Sequence, residues 1–473
     1  MSSWQPSIAE HGSPKFLALA EALQKDISEG RLTPGTKLPP YRELAVALGM
    51  SPGTVNKAYL EAERRGLVQG EVGRGTFVLD INSPSNLKTK SSVQSHPGGS
   101  ESGDAIPAII DLSVNMPPVP THNFILAEAF SDLAKQDISE LNNRYLPYYS
   151  HPRHREASST WLKKHGMVVD ANDVVLTNGA QHAMSVAIST VARPGDLVFT
   201  DQLTYPGMKS LASHLGLKLE PVKGDGEGML PDALSQALQR KQGKAVYLMP
   251  TLQNPTGQTM GEARRRDIAK IAEKHGVYIV EDDIYGLLCE NRISPIRNFA
   301  PDHCFYLTSM SKSVIPGLRV GFLVPPRQKL GEVNTAMRAT GWTAAPLMVD
   351  VAANLILDCT ADRLADQNRK EALVRQKLAR EFLGSWLIGD EQPCYHTWLD
   401  MPKGWGTEAF ISSARSAGVI VTPTEGISVG QQDPGGARLC LGAATSLPVL
   451  QAALRRLQTV LQGDERPAFF GLT

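Results

Sequence analysis

At 473 residues the chain is too long for one hydrophobic core and has room for a small domain plus a large one. Hydrophobic residues at 42% and charged residues at 20% exclude a disordered or fibrous chain, and 48 Lys+Arg against 48 Asp+Glu exclude an overall basic pull toward nucleic acid or membrane. Five scattered cysteines without paired spacing predict neither a metal site nor a disulfide framework; with no bilayer-length apolar run and no basic-then-apolar start, the expectation is a cytoplasmic protein.

Residues 14–80 read as a separate unit. Phe16 to Glu29 carries apolar residues at helical spacing (Phe16, Leu19, Ala20, Leu23, Ile27) and stops at Gly30. Tyr41 to Leu48 is a second helix, closed by Gly49. Ser51 as N-cap and Pro52 at the first helical position open a third, running to about Arg65. Leu67–Gly70 and Gly75–Leu79 are short strands around Glu71-Val72-Gly73-Arg74, so the order predicts a winged helix-turn-helix. Its detail resembles the GntR-type DNA-binding domain: Gly30-x-Leu32-x-Pro34-Gly35-x-x-Leu38-Pro39, Arg42-Glu43-Leu44-Ala45, Ser51-x-x-Thr54-Val55 and Gly73-x-Gly75-Thr76-Phe77-Val78. That resemblance implies a double-stranded DNA operator as partner. Ser51, Thr54, Asn56 and Lys57 would face the major groove, Arg42 a phosphate, and Arg74 with Thr76 the wing contact. Pro52 stands where that family commonly has arginine, which removes one positive contact. Residues 1–80 hold nine Lys/Arg and nine Asp/Glu, so any basic surface is local.

Residues 81–108 are Ser-, Pro-, Gly- and Lys-rich with little to bury, and read as a flexible linker. From residue 109 to 473 the chain reads as one large α/β domain. Thr177-Asn178-Gly179-Ala180-Gln181 leads into an apolar helix to about Ala192, whose first N–H groups suit a phosphate. Tyr205 is placed to stack on a ring. Asn254-Pro255-Thr256-Gly257 follows the apolar run Ala245 to Met249, and Asn254 suits a ring oxygen. Asp282 ends the strand-like Val277–Val280 run, where a buried carboxylate would keep a pyridine nitrogen protonated, and Tyr285 would donate to the ring's phenolate oxygen. Ser309-Met310-Ser311-Lys312, with Arg319 seven residues beyond the lysine, suits a phosphorylated aldehyde: Lys312 as the Schiff-base amine, Ser309, Ser311 and Arg319 on the phosphate. Arg438 would grip a carboxylate bidentately. A long helix is expected from about Met348 to Leu383, and His396 and Trp398 read as packing residues.

This ordered set resembles the fold type I family of pyridoxal 5'-phosphate (PLP) enzymes, the aspartate aminotransferase family, over roughly residues 108–460. The resemblance implies a mostly parallel sheet in an α/β/α sandwich with a smaller C-terminal lobe. It implies Asn115 near a substrate carboxylate, and Tyr145 reaching the phosphate of a neighbouring subunit's cofactor; Ser150 replaces that loop's usual glycine. The two units together resemble the MocR/GabR group of bacterial regulators. That implies a homodimer whose internal aldimine at Lys312 senses PLP, an amino acid or an amine. A working aminotransferase between an amino acid and a 2-oxoacid is the alternative, since Lys312, Asp282 and Tyr285 are also what turnover needs.

Overall fold

The structure, a computed structural model, describes residues 4, 6, 15–64, 67–71, 75–78, 106–118, 123–135, 151–389, 391–430 and 435–463. It divides into two units, Met1–Glu101 and Ser102–Thr473.

In the first, helices α1 (Lys15–Ser28), α2 (Tyr41–Ala47) and α3 (Pro52–Arg64) precede the antiparallel pair β1 (Val68–Glu71) and β2 (Gly75–Val78). Gly30 and Gly49 turn the chain after the first two helices at φ of 74° and 60°, a region that favours glycine. The α1 spacing seen in the sequence, Leu19, Leu23 and Ile27, closes into one core with Leu44 and Ala45 from α2, Val55, Ala58 and Ala62 from α3, and Val68 and Val78 from the strands. Ser51 Oγ accepts from Thr54 N at 3.2 Å, the N-cap expected for α3.

The second unit is built on seven strands: β4 (Val175–Thr177), β5 (Leu197–Asp201), β6 (Lys218–Val222), β7 (Ala245–Leu248), β8 (Tyr278–Asp282), β9 (Cys304–Ser309) and β10 (Gly321–Val324), in spatial order β4-β10-β9-β8-β7-β5-β6. Only β10 runs against its neighbours. Both sheet faces are apolar, as a sheet covered on both sides requires. Ala245, Tyr247, Val280, Phe305 and Leu323 pack on one face, with α4 (Ala180–Val191) over them. Val246, Leu248, Ile279 and Cys304 pack on the other. Because side chains alternate along a strand, Asp282 shares the face of Val280, and Tyr247 is its near neighbour across the β7–β8 register.

The smaller lobe pairs β11 (His396–Asp400) with β13 (Gly436–Cys440) and buries Phe410, Leu439 and Leu454. Two-residue strands β3 (Ile110–Asp111) and β12 (Val419–Ile420) pair in parallel, so the first strand after residues 81–108 belongs to this lobe. One expectation is corrected here. The stretch read as a single helix from Met348 to Leu383 is two, Pro346–Leu357 and Thr360–Leu383. Cys359 lies at φ 63° and Asp358 Oδ1 accepts from Thr360 N at 2.8 Å, which restarts the helix although apolar spacing continues across the break. Among the described residues no helix is long and apolar enough to cross a membrane.

Candidate functional site

Loops leaving the carboxyl ends of β4, β7, β8 and β9 converge, as expected for an open parallel sheet. After β9, Lys312 is pinned through its own backbone: Tyr395 OH donates to its carbonyl at 2.7 Å, and Asn368 Nδ2 donates to the next carbonyl, Ser313 O, at 3.0 Å. Its Nζ donates to Asn115 O. Burial pulls the Lys312 ammonium down to about 8, with Arg438 and Arg319 adding to the effect. At pH 7 roughly a tenth of it is therefore free amine, far more than for an ordinary lysine. The rate at which Lys312 condenses with an aldehyde should rise with pH and level off above about 8, where exposed lysines keep accelerating. Stopped-flow absorbance against pH checks this; a rate still climbing steeply above pH 9 would contradict it.

Asp282 is buried and accepts from Tyr247 OH at 2.8 Å through Oδ2, while its Oδ1 has no hydrogen-bond partner. Burial pushes this carboxyl up to about 7, against the opposing pull of the Tyr247 bond. A buried acceptor without a donor is costly, so this atom calls for a cationic N–H. Tyr285 OH accepts from Asn115 Nδ2 at 2.8 Å, which leaves its own proton to donate. Asn254 Oδ1 accepts from Arg438 Nη1 at 2.7 Å, which leaves its NH2 as donor. Arg438 is held further by Thr422 Oγ1 at 3.0 Å and Ser113 O at 2.8 Å.

On the β4 side, Gly179 caps α4 at φ 82°, and a Cβ there would lie 2.6 Å from Arg319 Nη2. Arg319 donates to Ser311 Oγ and Asn178 O, each at 3.4 Å. Ser309 Oγ accepts from Ser311 N at 3.3 Å. The first-turn N–H groups of Ala180 and Gln181 belong to the same corner, where a helix has donors to spare. Tyr205 OH donates to Gln181 Oε1 at 3.2 Å, and Gly207 leaves room for its ring. Lysine, acid, phenol, amide and an arginine-lined helix start are thus brought together; Tyr145 lies outside the described residues.

Sequence reasoning missed Tyr247, and it read His396 as packing without its bond to Asn115. His396 is fully buried, and its Nδ1 accepts from Asn115 Nδ2 at 2.8 Å while Nε2 donates to Gln253 O at 2.9 Å. Burial pushes the ring down to about 3, so it stays neutral, as an acceptor of that amide must. It packs as expected and also holds the Asn115 side chain.

On α3, Ser51, Asn56 and Lys57 are exposed and Thr54 half-buried, opposite the core-facing Val55, Ala58 and Ala62. Arg42 is exposed and donates to Tyr41 OH at 3.3 Å, and Thr76 is half-buried in β2. Arg74 lies outside the described residues.

Residues 107–457 match the family described as aminotransferase class I and II. The chain belongs to that family. Residues 16–78 match bacterial regulatory proteins of the gntR family. A class I and II aminotransferase domain is therefore joined to a GntR-type helix-turn-helix, which makes the protein a transcriptional regulator that binds DNA, and the cofactor implied by the aminotransferase family is PLP. The HTH-type transcriptional regulator YdeF of Bacillus subtilis is 28% identical, with 97% of each chain covered. The probable rhizopine catabolism regulatory protein MocR of Rhizobium meliloti is 26% identical over 80% of each chain. The pyridoxine biosynthesis regulator PdxR of Corynebacterium glutamicum is 24% identical over 77% of this chain and 78% of its own. Among solved structures, the kynurenine aminotransferase of Pyrococcus horikoshii superposes with a TM-score of 0.68 at 23% identity, over 75% of this chain and 91% of that one. The residues present fit PLP: a partnerless buried carboxylate oxygen for the ring nitrogen and a helix start where Gly179, at a positive φ that favours glycine, leaves bare backbone beside the Arg319 guanidinium.

Proposed function

We propose that the chain regulates transcription by sensing PLP, or an amino acid or amine that reacts with it, at its PLP site, as a cytoplasmic homodimer bound to an operator. The proposed division is 14–80 for the DNA-binding domain, 81–108 for the linker and 109–473 for the PLP domain. The observation that carries the reading is the buried Asp282 carboxylate, whose Oδ1 has no hydrogen-bond partner, in the site that also holds Lys312, Tyr285 and Arg438. When bound, PLP supplies an aldehyde that captures primary amines and a ring that withdraws electrons from them.

The chain's own residues then divide the work. Lys312 would hold the cofactor and release it to an incoming amine. Asp282, braced by Tyr247, would keep the ring nitrogen protonated. Tyr285 and Asn254 would donate to the ring oxygen, and Tyr205 would cover the ring. Gly179, Ala180, Gln181, Ser309, Ser311 and Arg319 would bind phosphate, with Tyr145 from a second copy. Arg438 and Asn115 would take the effector's carboxylate end. Pockets built for a charge reject uncharged analogues strongly, so a carboxylate-bearing amine is the favoured effector class.

A ligand changes DNA affinity only if it prefers one arrangement of the DNA-binding heads. A gel shift with the protein's own upstream region tests the reading: binding should weaken with salt and change on adding PLP and amino acids. Lys57→Ala should weaken binding about uniformly across sequences and flatten the salt slope by about one if it meets a phosphate, or relax preference at one base pair if it meets a base. Absence of salt-sensitive binding would end the regulator reading. Turnover of an amino acid and a 2-oxoacid at enzyme-like rates would favour a working aminotransferase instead.

A further inference from the structure

We propose that the backbone carbonyl of Asn115 reads the bonding state of Lys312 and passes it to the segment by which the PLP domain is joined to the DNA-binding unit. The inference rests on the PLP reading above and names how that site would be connected to its output.

The segment in question, residues 107–116, takes in the last two residues of the 81–108 stretch expected to act as linker and continues into the PLP domain. Its first half is fastened to the small lobe. Arg456 donates to Pro107 O at 3.1 Å and Ala108 O at 2.9 Å, Ile110 N donates to Gly418 O at 2.8 Å, and Leu112 N donates to Ile420 O at 2.8 Å. Its second half is fastened to the groups expected to meet cofactor and effector. Ser113 O accepts from Arg438 Nη2 at 2.8 Å and Thr422 Oγ1 at 3.0 Å. Asn115 bonds both Tyr285 and His396 through Nδ2, and its carbonyl accepts from Lys312 Nζ. Val114 between them is about half exposed (53%), so polar bonds rather than apolar packing hold this stretch.

One of these bonds depends on what the Lys312 nitrogen is attached to. As a free ammonium it carries three hydrogens and can donate to Asn115 O. Condensation with an aldehyde forms C=N and expels water; the nitrogen then keeps at most one hydrogen, fixed in direction by the double bond. The Asn115 carbonyl loses its donor. An incoming primary amine takes over the C=N bond and returns Lys312 as an amine with two hydrogens, in an exchange with no net redox change. The donor is restored. Segment 107–116 is therefore held in the cofactor-free state, loosened by cofactor alone, and held again once an amine has displaced Lys312. An effector would differ from the cofactor in its action on the linker end even though both occupy one cavity.

Hydrogen–deuterium exchange of the full chain, read on peptides spanning 106–118, tests this with aminooxyacetate as probe. Its aminooxy group takes over the C=N bond whatever the natural effector, and its carboxylate suits Arg438. Exchange should be roughly three- to tenfold faster with PLP than without, the effect of one lost hydrogen bond, and should return to the cofactor-free rate with aminooxyacetate. In Lys312→Ala, exchange should be fast in every state and unmoved by either addition. Visible absorbance of the same samples separates the two levels of the argument. If the cofactor band appears and shifts with aminooxyacetate while exchange in the wild type is unchanged, the inference is wrong and the PLP reading stands. If no band appears, both are wrong. The same three-state pattern in Lys312→Ala would also overturn the inference, and if that variant does not fold, the wild-type series decides alone.

Discussion

Asp282→Asn should weaken PLP binding by roughly a hundred- to a few-thousand-fold while making the cofactor-free chain more stable at neutral pH. The first effect follows from removing one partner of a buried charge pair, a loss of about 3–5 kcal/mol. The asparagine can still accept from Tyr247, so the geometry of the site should survive; what it cannot do is pair with a protonated ring nitrogen. The second effect follows from burial. The Asp282 carboxyl sits near 7 in the folded chain against 3.8 for the ordinary group, so the folded state holds its proton more tightly than the unfolded one. Its contribution to stability is therefore greatest below pH 3.8 and declines as pH climbs to 7, by a penalty on the order of 4 kcal/mol at the top. Asparagine carries no such penalty. Thermal melts of the cofactor-free proteins at pH 5 and pH 8 should show the variant's advantage growing with pH, and equilibrium titration should show its loss of PLP. Equal PLP affinity would mean that Asp282 does not face the ring.

Arg438→Met should lower the affinity for a carboxylate-bearing amine by about thirty-fold to a few-thousand-fold, the 2–5 kcal/mol lost when one partner of a buried, hydrogen-bonded charge pair is truncated. Three N–H groups of Arg438 are committed, to Asn254, Ser113 and Thr422. A guanidinium has five, so two remain, one on each terminal nitrogen. Because the protein already holds the fork, little side-chain entropy remains to be lost on binding. The response to an amine of the same length lacking the carboxylate should change by less than about tenfold, since such a ligand has nothing for the fork to hold. Titrations followed through cofactor absorbance measure both. A parallel loss for the two ligands would show that Arg438 only supports the surrounding loops.

How far residue order reveals the site depends on where each group sits in its own element. Lys312, Asp282, Asn254 and Gly179 stand at the ends of apolar runs, where a polar or glycine residue interrupts a strand, and that interruption is visible without coordinates. Tyr247 stands inside such a run and bonds a carboxylate 35 residues away, so it reads as one more core aromatic. His396 has the same disguise, and its partner Asn115 is 281 residues distant. A tyrosine on the strand beside an acid, or a lone histidine within a buried strand, is the hint each leaves. The helix break at Asp358–Cys359 was hidden for the opposite reason: a local side-chain cap ended the helix while the apolar period ran on. On the winged helix the apolar face of the first helix was legible, because Leu19, Leu23 and Ile27 recur at helical spacing and all enter the core.

The most direct test of the account is chemical. The full chain is incubated with PLP, reduced with borohydride, digested, and its peptides weighed. A single phosphopyridoxyl group on Lys312, absent from Lys312→Ala while that variant keeps salt-sensitive DNA binding, is the result expected. Protein that stays colourless with PLP, or a label spread over exposed lysines and missing from Lys312, would contradict it.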